Sequence, residues 1–205
     1  MKSINQAVFG AMGFFCMVAL AFSCAPVPYL NVNYTLPVEE SPLKGKDIRL
    51  VIEDSRRDKM ILGPGARKEF PGFLGDISFS VAREPGAGFR IGVFKLSSVY
   101  RQAFEQRLKR SGIVVVPEKG KEAPELRIVI QTFFLDLVGR KWKCRVAYEA
   151  RLIKDGHVLA KQMISGEAER VKLVGRREAD KVIGELFTDT VNQLNLTQLF
   201  RQANL

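Results

Sequence analysis

The sequence has 205 residues, 46% of them hydrophobic, and its 32 Lys and Arg outnumber 22 Asp and Glu, which gives a formal net charge of +10. This length suits one compact domain behind a leader, and no change of composition marks a second domain. Such a charge would indicate a nucleic-acid partner in the cytoplasm, but the N-terminus predicts export, which excludes that partner. The charge then suits anionic lipid head groups, acidic envelope polymers, or simply a surface that keeps the protein in solution.

Residues 1–23 have the layout of a signal peptide. Lys2 precedes an uncharged apolar run over residues 7–20. This run is shorter and richer in Gly and Ala than the about 20 apolar residues of a membrane-spanning helix. Small residues end the run and Cys24 follows, as in the processing box of a bacterial lipoprotein precursor. We therefore predict cleavage before Cys24 and attachment of acyl chains, such as palmitate, to this cysteine.

The processing box departs from its preferred pattern at two positions. Ala21 stands where Leu is preferred, and Phe22 is large for the next position. Plain cleavage at the same point, which would leave a soluble protein beginning at Cys24, stays an alternative. Ala25, where Asp would signal retention, predicts sorting to the outer membrane, with the domain on its periplasmic face.

Cysteine usage also favours acylation. The signal peptide removes Cys16, so the mature chain holds Cys24 and Cys144. A domain of this size needs no disulfide, and a bridge between these two would tie a flexible leader to the middle of a strand. Acylation of Cys24 explains the odd thiol better.

Prolines recur in residues 24–45, and a glycine ends this segment. We interpret it as an extended spacer, with an edge strand at Val32-Asn33-Tyr34 as the alternative. A single domain over residues 46–205 follows. It begins with the alternating strand Ile48–Asp54. The charged cluster over residues 54–58 at the end of this strand suits either an anion site or local ion pairs.

Residues 59–96 are rich in Gly and Pro, and we expect an insert there that contains a hairpin of strands 77–81 and 89–94. A helix is predicted over Val99–Arg110, with Ser97 or Ser98 as its N-cap and Gly112 at its end. The apolar run 113–116 that follows is typical of a strand buried on both faces. The right-handed crossover rule lays this strand parallel to the first.

A third strand over Leu126–Phe134 leads into the clearest pattern of the chain. Apolar residues alternate with mostly charged ones from Lys141 to Leu152, and Asp155-Gly156 predicts a two-residue turn. Pairing across this turn sets Leu152 beside Leu159 and Tyr148 beside Met163, and the same register continued without slip would bury Glu167 and Glu169 on the apolar face. We therefore predict a bulge or an end of pairing near Ser165-Gly166 that turns both glutamates toward Lys143 or Arg145.

A second long helix is predicted over residues 178–194, and Thr197 is a candidate cap for a short final helix that packs on the core or stays mobile. The predicted fold class is therefore α+β, with a mixed, mostly antiparallel sheet and two long helices packed on one face.

These elements together resemble the YajG-type outer-membrane lipoproteins. The likeness rests on the exported leader with its cysteine, Leu50-Val51-Ile52-Glu53-Asp54-Ser55-Arg56, the first helix, the hairpin, and Leu186-Phe187-Thr188-Asp189-Thr190-Val191. It implies an α+β domain facing the periplasm, in a family whose molecular role is poorly defined. Small periplasmic lipoproteins that assist lipid or lipopolysaccharide transporters have a similar order of elements, which is an analogy of fold.

No motif in the sequence indicates catalysis. His157 falls in the hairpin turn, Cys144 occupies a core-facing position, and no serine lies in a nucleophile elbow. No cluster of His, Cys or acidic residues has metal-site spacing. We therefore expect no enzymatic activity, no cofactor and no metal.

Two functional hypotheses remain. In the first, the domain is an assembly or scaffold module that holds an envelope protein near the outer membrane through a sheet edge or the final helix. In the second, it is an accessory lipoprotein that binds an anionic lipid or glycan through a charged sheet face. The residues of that face are Lys141, Lys143, Arg145 and Arg151. For each of these residues, simple solubility is the competing explanation.

Overall fold

The computed structural model describes residues 27–38, 43–83, 88–117 and 123–205, so Cys24 and the predicted signal peptide lie outside the described residues. Within them the chain forms eight strands and four helices. The strands are β1 Leu30–Thr35, β2 Asp47–Asp54, β3 Ile77–Ala82, β4 Phe89–Phe94, β5 Val114–Val115, β6 Glu125–Val138, β7 Lys141–Lys154 and β8 His157–Val171. The helices are α1 Pro64–Glu69, α2 Leu96–Arg110, α3 Arg177–Gln193 and α4 Leu196–Gln202.

The strands of the described residues form two sheets. The larger has the order β5-β2-β6-β7-β8 and the smaller the order β1-β3-β4. In the larger sheet β2 is parallel to both β5 and β6, whereas β6, β7 and β8 are antiparallel to one another. In the smaller sheet β1 is parallel to β3 and β4 is antiparallel to it. The α+β class and the mixture of parallel and antiparallel strands are confirmed, but the prediction of a single sheet is wrong because the strands form two.

The second sheet comes from segments that were predicted as spacer and insert. Leu30, Val32 and Tyr34 of β1 are fully buried, so the chain joins the folded body at residue 30, inside the predicted spacer 24–45. The edge strand kept as an alternative is what the structure shows. The predicted hairpin at 77–81 and 89–94 is confirmed as β3 and β4, but it pairs with β1 instead of forming an insert.

The core lies between the five-stranded sheet and the two longest described helices, α2 and α3, which have 15 and 17 residues. Tyr100 of α2 packs edge-on against Tyr148 of β7, Phe133 of β6 and Phe187 of α3. Because one ring contacts both the sheet and the other helix, both helices lie on the same face of the sheet, as predicted. Edge-to-face aromatic contacts of this kind fix helix positions as well as burying area.

Helix α3 lies between the two sheets and approaches both closely. A Cβ on Gly184 would lie 3.3 Å from the backbone nitrogen of Asn33 in β1, and a Cβ on Gly166 of β8 would lie 2.8 Å from Leu186 Cδ1. A side chain at Gly184 would therefore push β1 away from α3. The close approach of the two backbones favours a glycine here.

Polar side chains of α3 satisfy the free edge of β1. The Asp180 carboxylate accepts hydrogen bonds of 2.9 Å from both the backbone and the side-chain amide of Asn31. The Thr188 hydroxyl accepts from the Thr35 backbone N–H at 3.2 Å, and Asn192 donates to the Thr35 carbonyl at 3.0 Å. Residues four apart share one helix face, so this face of α3 takes the place of a neighbouring strand.

The β7–β8 hairpin confirms the predicted turn and the predicted faces of β7. On β8, by contrast, Leu159 and Met163 are exposed, and Ala160 and Ile164 take their place opposite Leu152 and Tyr148. Asp155 and Gly156 have positive φ angles of 51° and 78°, as a two-residue primed turn requires. The inward side chains of β7 are all buried. They are Trp142, Cys144, Val146, Tyr148, Ala150 and Leu152.

The predicted position of the bulge in this hairpin is wrong. The register shifts beside the turn, where Ile153 pairs with Val158 and Leu152 with Ala160, and pairing then runs unbroken to the end of β8. The single shift suffices to bring both glutamates to the charged face, with Glu167 opposite Arg145 and Glu169 opposite Lys143. The bulge beside the turn, and not one at Ser165-Gly166, therefore keeps both carboxylates out of the core.

Helix ends and one short strand also differ from expectation. Helix α2 begins at Leu96 without a side-chain cap, so neither Ser97 nor Ser98 is its N-cap, while Gly112 with φ 77° ends it as predicted. Asn195, not Thr197, caps α4. Strand β5 is parallel to β2 as predicted, but it is a two-residue edge strand with Val114 50% exposed, so it is not buried on both faces.

Replacing Gly184 by leucine tests the docking of β1 on α3. We expect Gly184→Leu to lower the free energy of unfolding by about 2 kcal/mol because overpacking displaces β1, although leucine alone would favour the helix by about 1 kcal/mol. Urea titration followed by circular dichroism measures the change. Lys181→Leu, at an exposed position of the same helix, is the control, and equal effects of the two substitutions would contradict the docking.

Candidate functional site

The four predicted anion-binding residues lie on the outward face of β7. Lys141, Lys143 and Arg145 are exposed and Arg151 is half-buried. They alternate with the buried residues of the strand, so they point away from the helices. The structure therefore places all four on one face, as the sequence pattern predicts.

Three of these four basic side chains are engaged by neighbouring carboxylates. Lys141 and Lys143 share Glu169 of β8, with nitrogen–oxygen distances of 3.1 and 2.9 Å. Arg151 pairs with Glu149 at 2.9 Å. Interleaved pairs of this kind neutralise much of the field that an anion would feel. Lys141, Lys143 and Arg151 therefore present paired charges rather than a basic patch.

Arg145 differs because it lies beside a cleft. Its guanidinium carbon lies 5.4 Å from the centroid of the Phe134 ring, a cation–π distance. The cleft has a volume of about 730 Å³. Its polar and charged lining side chains are Ser55, Arg56, Arg57, Asp58, Gln131, Thr132 and Arg145. The structure therefore brings Arg145 together with the charged cluster that the sequence places at the end of β2.

The cleft is a gap in the five-stranded sheet. Pairing of β2 with β6 ends at Asp54 and Ile130, and Leu62 resumes it opposite Leu135. A bulge in β6 at Gln131 lies between them. Neither Arg57 nor Arg145 forms an ion pair with any described residue, so two exposed guanidinium groups border this gap. Guanidinium groups suit phosphate and carboxylate oxygens.

Arg56 forms the floor of this gap. It is 7% exposed, donates to both oxygens of Asp54 at 3.0 and 2.9 Å, and donates to the Phe133 carbonyl at 3.4 Å. Burial raises the pKa of the Asp54 carboxyl, but the hydrogen bonds and charge of Arg56, with a hydrogen bond from Lys59, outweigh it and lower the pKa below its usual value. Local ion pairing is therefore the role of Asp54 and Arg56.

Strands β8 and β4 each end a sheet and have no strand on their outer side in the described part of the chain. Strand β8 has 15 residues and β4 has six. The exposed side chains of β8 include Lys161, Glu167 and Glu169, and charge on an edge discourages strand addition. The two edges therefore differ in what they offer a partner.

Strand β4 presents an apolar edge. Phe89, Ile91 and Val93 are 86, 41 and 38% exposed, and Arg90 is the one charged residue of the strand. A register shift leaves Ile91 without a partner on β3. Exposed apolar edges template the pairing of another chain. This edge is the feature that sequence reasoning missed, since the pattern predicted the strand but not that it would end a sheet.

The final helix is used within the domain. Leu199 and Phe200 of α4 are 1 and 2% exposed, so its apolar side packs on the core. The backbone N–H of Asn195 donates to Gln162 on β8 at 3.1 Å, which ties the start of α4 to the sheet. Of the two surfaces that the scaffold hypothesis names, the sheet edge is therefore the one left open.

The residues with nucleophilic or basic chemistry are not assembled into a site. Cys144 is 1% exposed, and burial raises the pKa of its thiol far above the usual range. His157 is exposed at the start of β8. Among the described residues, no three His, Cys, Asp or Glu side chains are grouped so as to hold a metal ion. No helix in the described ranges is both long and apolar enough to cross a membrane.

No family model and no curated protein sequence matches the chain. Among solved structures, it is similar to protein XCC0632 from Xanthomonas campestris, of the family model DUF330, with a TM-score of 0.50 and 15% identity over 83% of this chain and 94% of that one. Lipoprotein GNA1162 from Neisseria meningitidis gives a TM-score of 0.29 and 15% identity over 72% of this chain and 96% of that one.

The first of these likenesses shows the fold, and the second is too weak to carry an argument. The chain is therefore an α+β protein with two mixed sheets, of the fold seen in XCC0632. A shared fold does not carry a shared role.

The pairing of Asp54 with buried Arg56 predicts a pH-dependent loss of stability. Asp54→Asn leaves the guanidinium without its counter-charge, and we expect the free energy of unfolding at pH 7 to fall by about 2 kcal/mol. A carboxylate whose pKa is lowered by folding stabilises fully above its unfolded-state pKa, near 3.8, and less as the pH falls through the folded-state value. The difference between wild type and variant should therefore shrink below pH 4 in urea titrations.

The matched control is Glu169→Gln, which also removes a carboxylate from two cations, Lys141 and Lys143. Those side chains are 46 to 56% exposed, so we expect little change in stability. Equal losses in the two variants, or a loss from Asp54→Asn that does not depend on pH, would contradict the assignment.

Proposed function

We propose that this chain is an outer-membrane lipoprotein of the YajG type, anchored through acylated Cys24 on the periplasmic side, that acts as a non-catalytic binding module for an envelope protein. The anchor rests on the leader, the small residues before Cys24 and the order of elements in the sequence. The binding role rests on one observation, the exposed apolar edge of β4. An extended segment of the partner would add a strand there.

The comparison of the two free edges supports this role. Charged side chains on an edge strand discourage pairing with another chain, and β8 carries Lys161, Glu167 and Glu169. Phe89, Ile91 and Val93 of β4 are exposed, and a partner that covers this strand would remove them from water. Main-chain hydrogen bonds would then supply affinity, and alternate side chains would supply specificity.

In-cell photo-crosslinking tests the binding role. A photoreactive residue at Ile91 or Val93 should capture one discrete envelope protein, because both positions are exposed on the proposed edge. Adding Arg90→Glu or Val93→Lys to the Ile91 probe should abolish the adduct by placing charge in the apolar contact.

The same photoreactive residue at Lys161 or Met163 is the control, since these positions are also exposed but lie on the charged edge strand β8. Capture of the same proteins from both edges, or no capture from β4, would refute the proposal that β4 binds a partner.

A second candidate function has its own observation. The cleft between Arg57 and Arg145 holds two guanidinium groups that have no carboxylate partner among the described residues. We propose it as the place where an anionic lipid or glycan would bind if the domain serves an envelope transport system. The rest of the predicted basic face, with its Lys–Glu and Arg–Glu pairs, is better explained as a solvated surface.

Charge reversal separates these two parts of the face. If the cleft binds the anion, R57E/R145E should weaken retention on vesicles containing phosphatidylglycerol or on lipopolysaccharide, because both guanidinium groups are lost. K143E/R151E changes the net charge equally but leaves the cleft intact, and it should retain binding at the level of the wild type. Retention by R57E/R145E equal to that of wild type would remove this candidate.

A further inference from the structure

One end of the domain collects the loops that follow β6, β8 and α1, together with the first residue of β1. The Leu30 backbone N–H donates to the Asp76 carbonyl at 3.2 Å, and Lys95 joins Asp76 and the Leu74 carbonyl, each at 2.8 Å. The Lys172 backbone N–H donates to the Arg140 carbonyl at 2.8 Å. The chain therefore enters the fold at the same end as these loops.

The loop between β8 and α3 is the most exposed apolar feature of this end. Leu173 and Val174 are 71 and 88% exposed. The segment that contains them reads Val171-Lys172-Leu173-Val174-Gly175-Arg176-Arg177, with three basic residues and no acidic one. Aliphatic side chains at a tip flanked by basic residues match the boundary between lipid head groups and acyl chains.

The loop is held in place with its tip outward. The Arg176 guanidinium lies 5.0 Å from the centroid of the Phe70 ring, and Lys172 pairs with Glu69 at 2.6 Å. Both contacts fix the base of the loop on the segment around α1. The exposure of Leu173 and Val174 therefore comes from a tethered loop conformation.

The charges around the loop have the sign that an anionic membrane needs. The acidic residues Glu69 and Asp76 are each paired with a lysine. The exposed basic residues of this end that form no ion pair with a described residue are Arg67, Lys68, Arg140, Arg176 and Arg177. Each basic residue near an anionic leaflet adds to the attraction.

The length of the chain limits how far the predicted anchor can be from this loop. Leu30 is the sixth residue after Cys24, so the tether reaches about 20 Å at most. Asn31 bonds to Asp180 at 2.9 Å, and Asp180 is one helical turn, about 6 Å along the axis, from Arg176. The opposite end of β8 lies about 50 Å away along the strand. A chain anchored at Cys24 thus keeps the loop, and not the hairpin turn, near the membrane.

We propose that residues 171–177 form a membrane-docking loop, in which Leu173 and Val174 enter the head-group region of an anionic bilayer and the flanking basic residues bind lipid phosphates. This proposal rests on the proposed acylation of Cys24 for the position of the membrane. It sets the domain with the β7–β8 turn directed away from the bilayer.

Depth-dependent quenching tests the loop in the membrane-extracted lipoprotein. Leu173→Cys and, as the matched control, Leu159→Cys place an NBD probe at exposed leucines at the two ends of β8; buried Cys144 stays unlabelled. In vesicles of phosphatidylethanolamine and phosphatidylglycerol we expect NBD emission at residue 173 to rise severalfold and nitroxide lipids to quench at least half of it. The probe at residue 159 should keep its emission in water. Phosphatidylcholine vesicles should weaken the signal at residue 173.

Three outcomes would overturn the docking loop. Solvent-like emission at residue 173 in a protein whose mass shows acylated Cys24 would do so, and so would quenching at residue 159. Shielding of residue 173 in cells but not in vesicles would show that a protein covers the loop. A chain without acyl mass would contradict the anchor alone, because Leu173→Cys can then be labelled in a Cys24→Ser chain and titrated with vesicles added from solution.

Discussion

Helix α3 lies along the outer edge of β1, where a neighbouring strand would otherwise pair. The rest of the architecture depends on this contact between α3 and β1. The carboxylate of Asp180, the hydroxyl of Thr188 and the amide of Asn192 satisfy the strand edge, while Gly184 lets the two backbones approach. The other side of α3 packs on β7 and β8 through Leu186 and Thr190. Without this helix the second sheet would have no attachment along the free edge of β1.

The sequence predicted those parts of the fold whose side chains alternate with a clear period. The hairpin is the best case, since the inward residues of β7 and the Asp155-Gly156 turn follow the pattern directly. The second sheet was not predictable in this way because Leu30, Val32 and Tyr34 lie among prolines, and the partner of their strand edge is a helix more than 140 residues away. Pairing at that distance leaves no local signal.

The candidate sites were also predictable from the sequence only in part. The four basic residues of β7 were predicted on one face and lie there, but the carboxylates that pair with three of them depend on the hairpin register, which one bulge beside the turn decides. The cleft brings Arg57 and Arg145 together only because β6 bulges at Gln131. The apolar edge of β4 and the proposed docking loop likewise depend on where strands end and which strands have no neighbour. The composition of the sequence does not predict these features.

The proposed acylation of Cys24 would hold this fold at a membrane, with its entry strand β1 at the anchored end. Intact-mass analysis of the protein extracted from membranes tests this proposal most directly. We expect a mature chain that begins at Cys24 and carries the added mass of its acyl chains, and a Cys24→Ser chain that lacks this mass. An unmodified terminus at Cys24, or a chain that retains Met1, would contradict it.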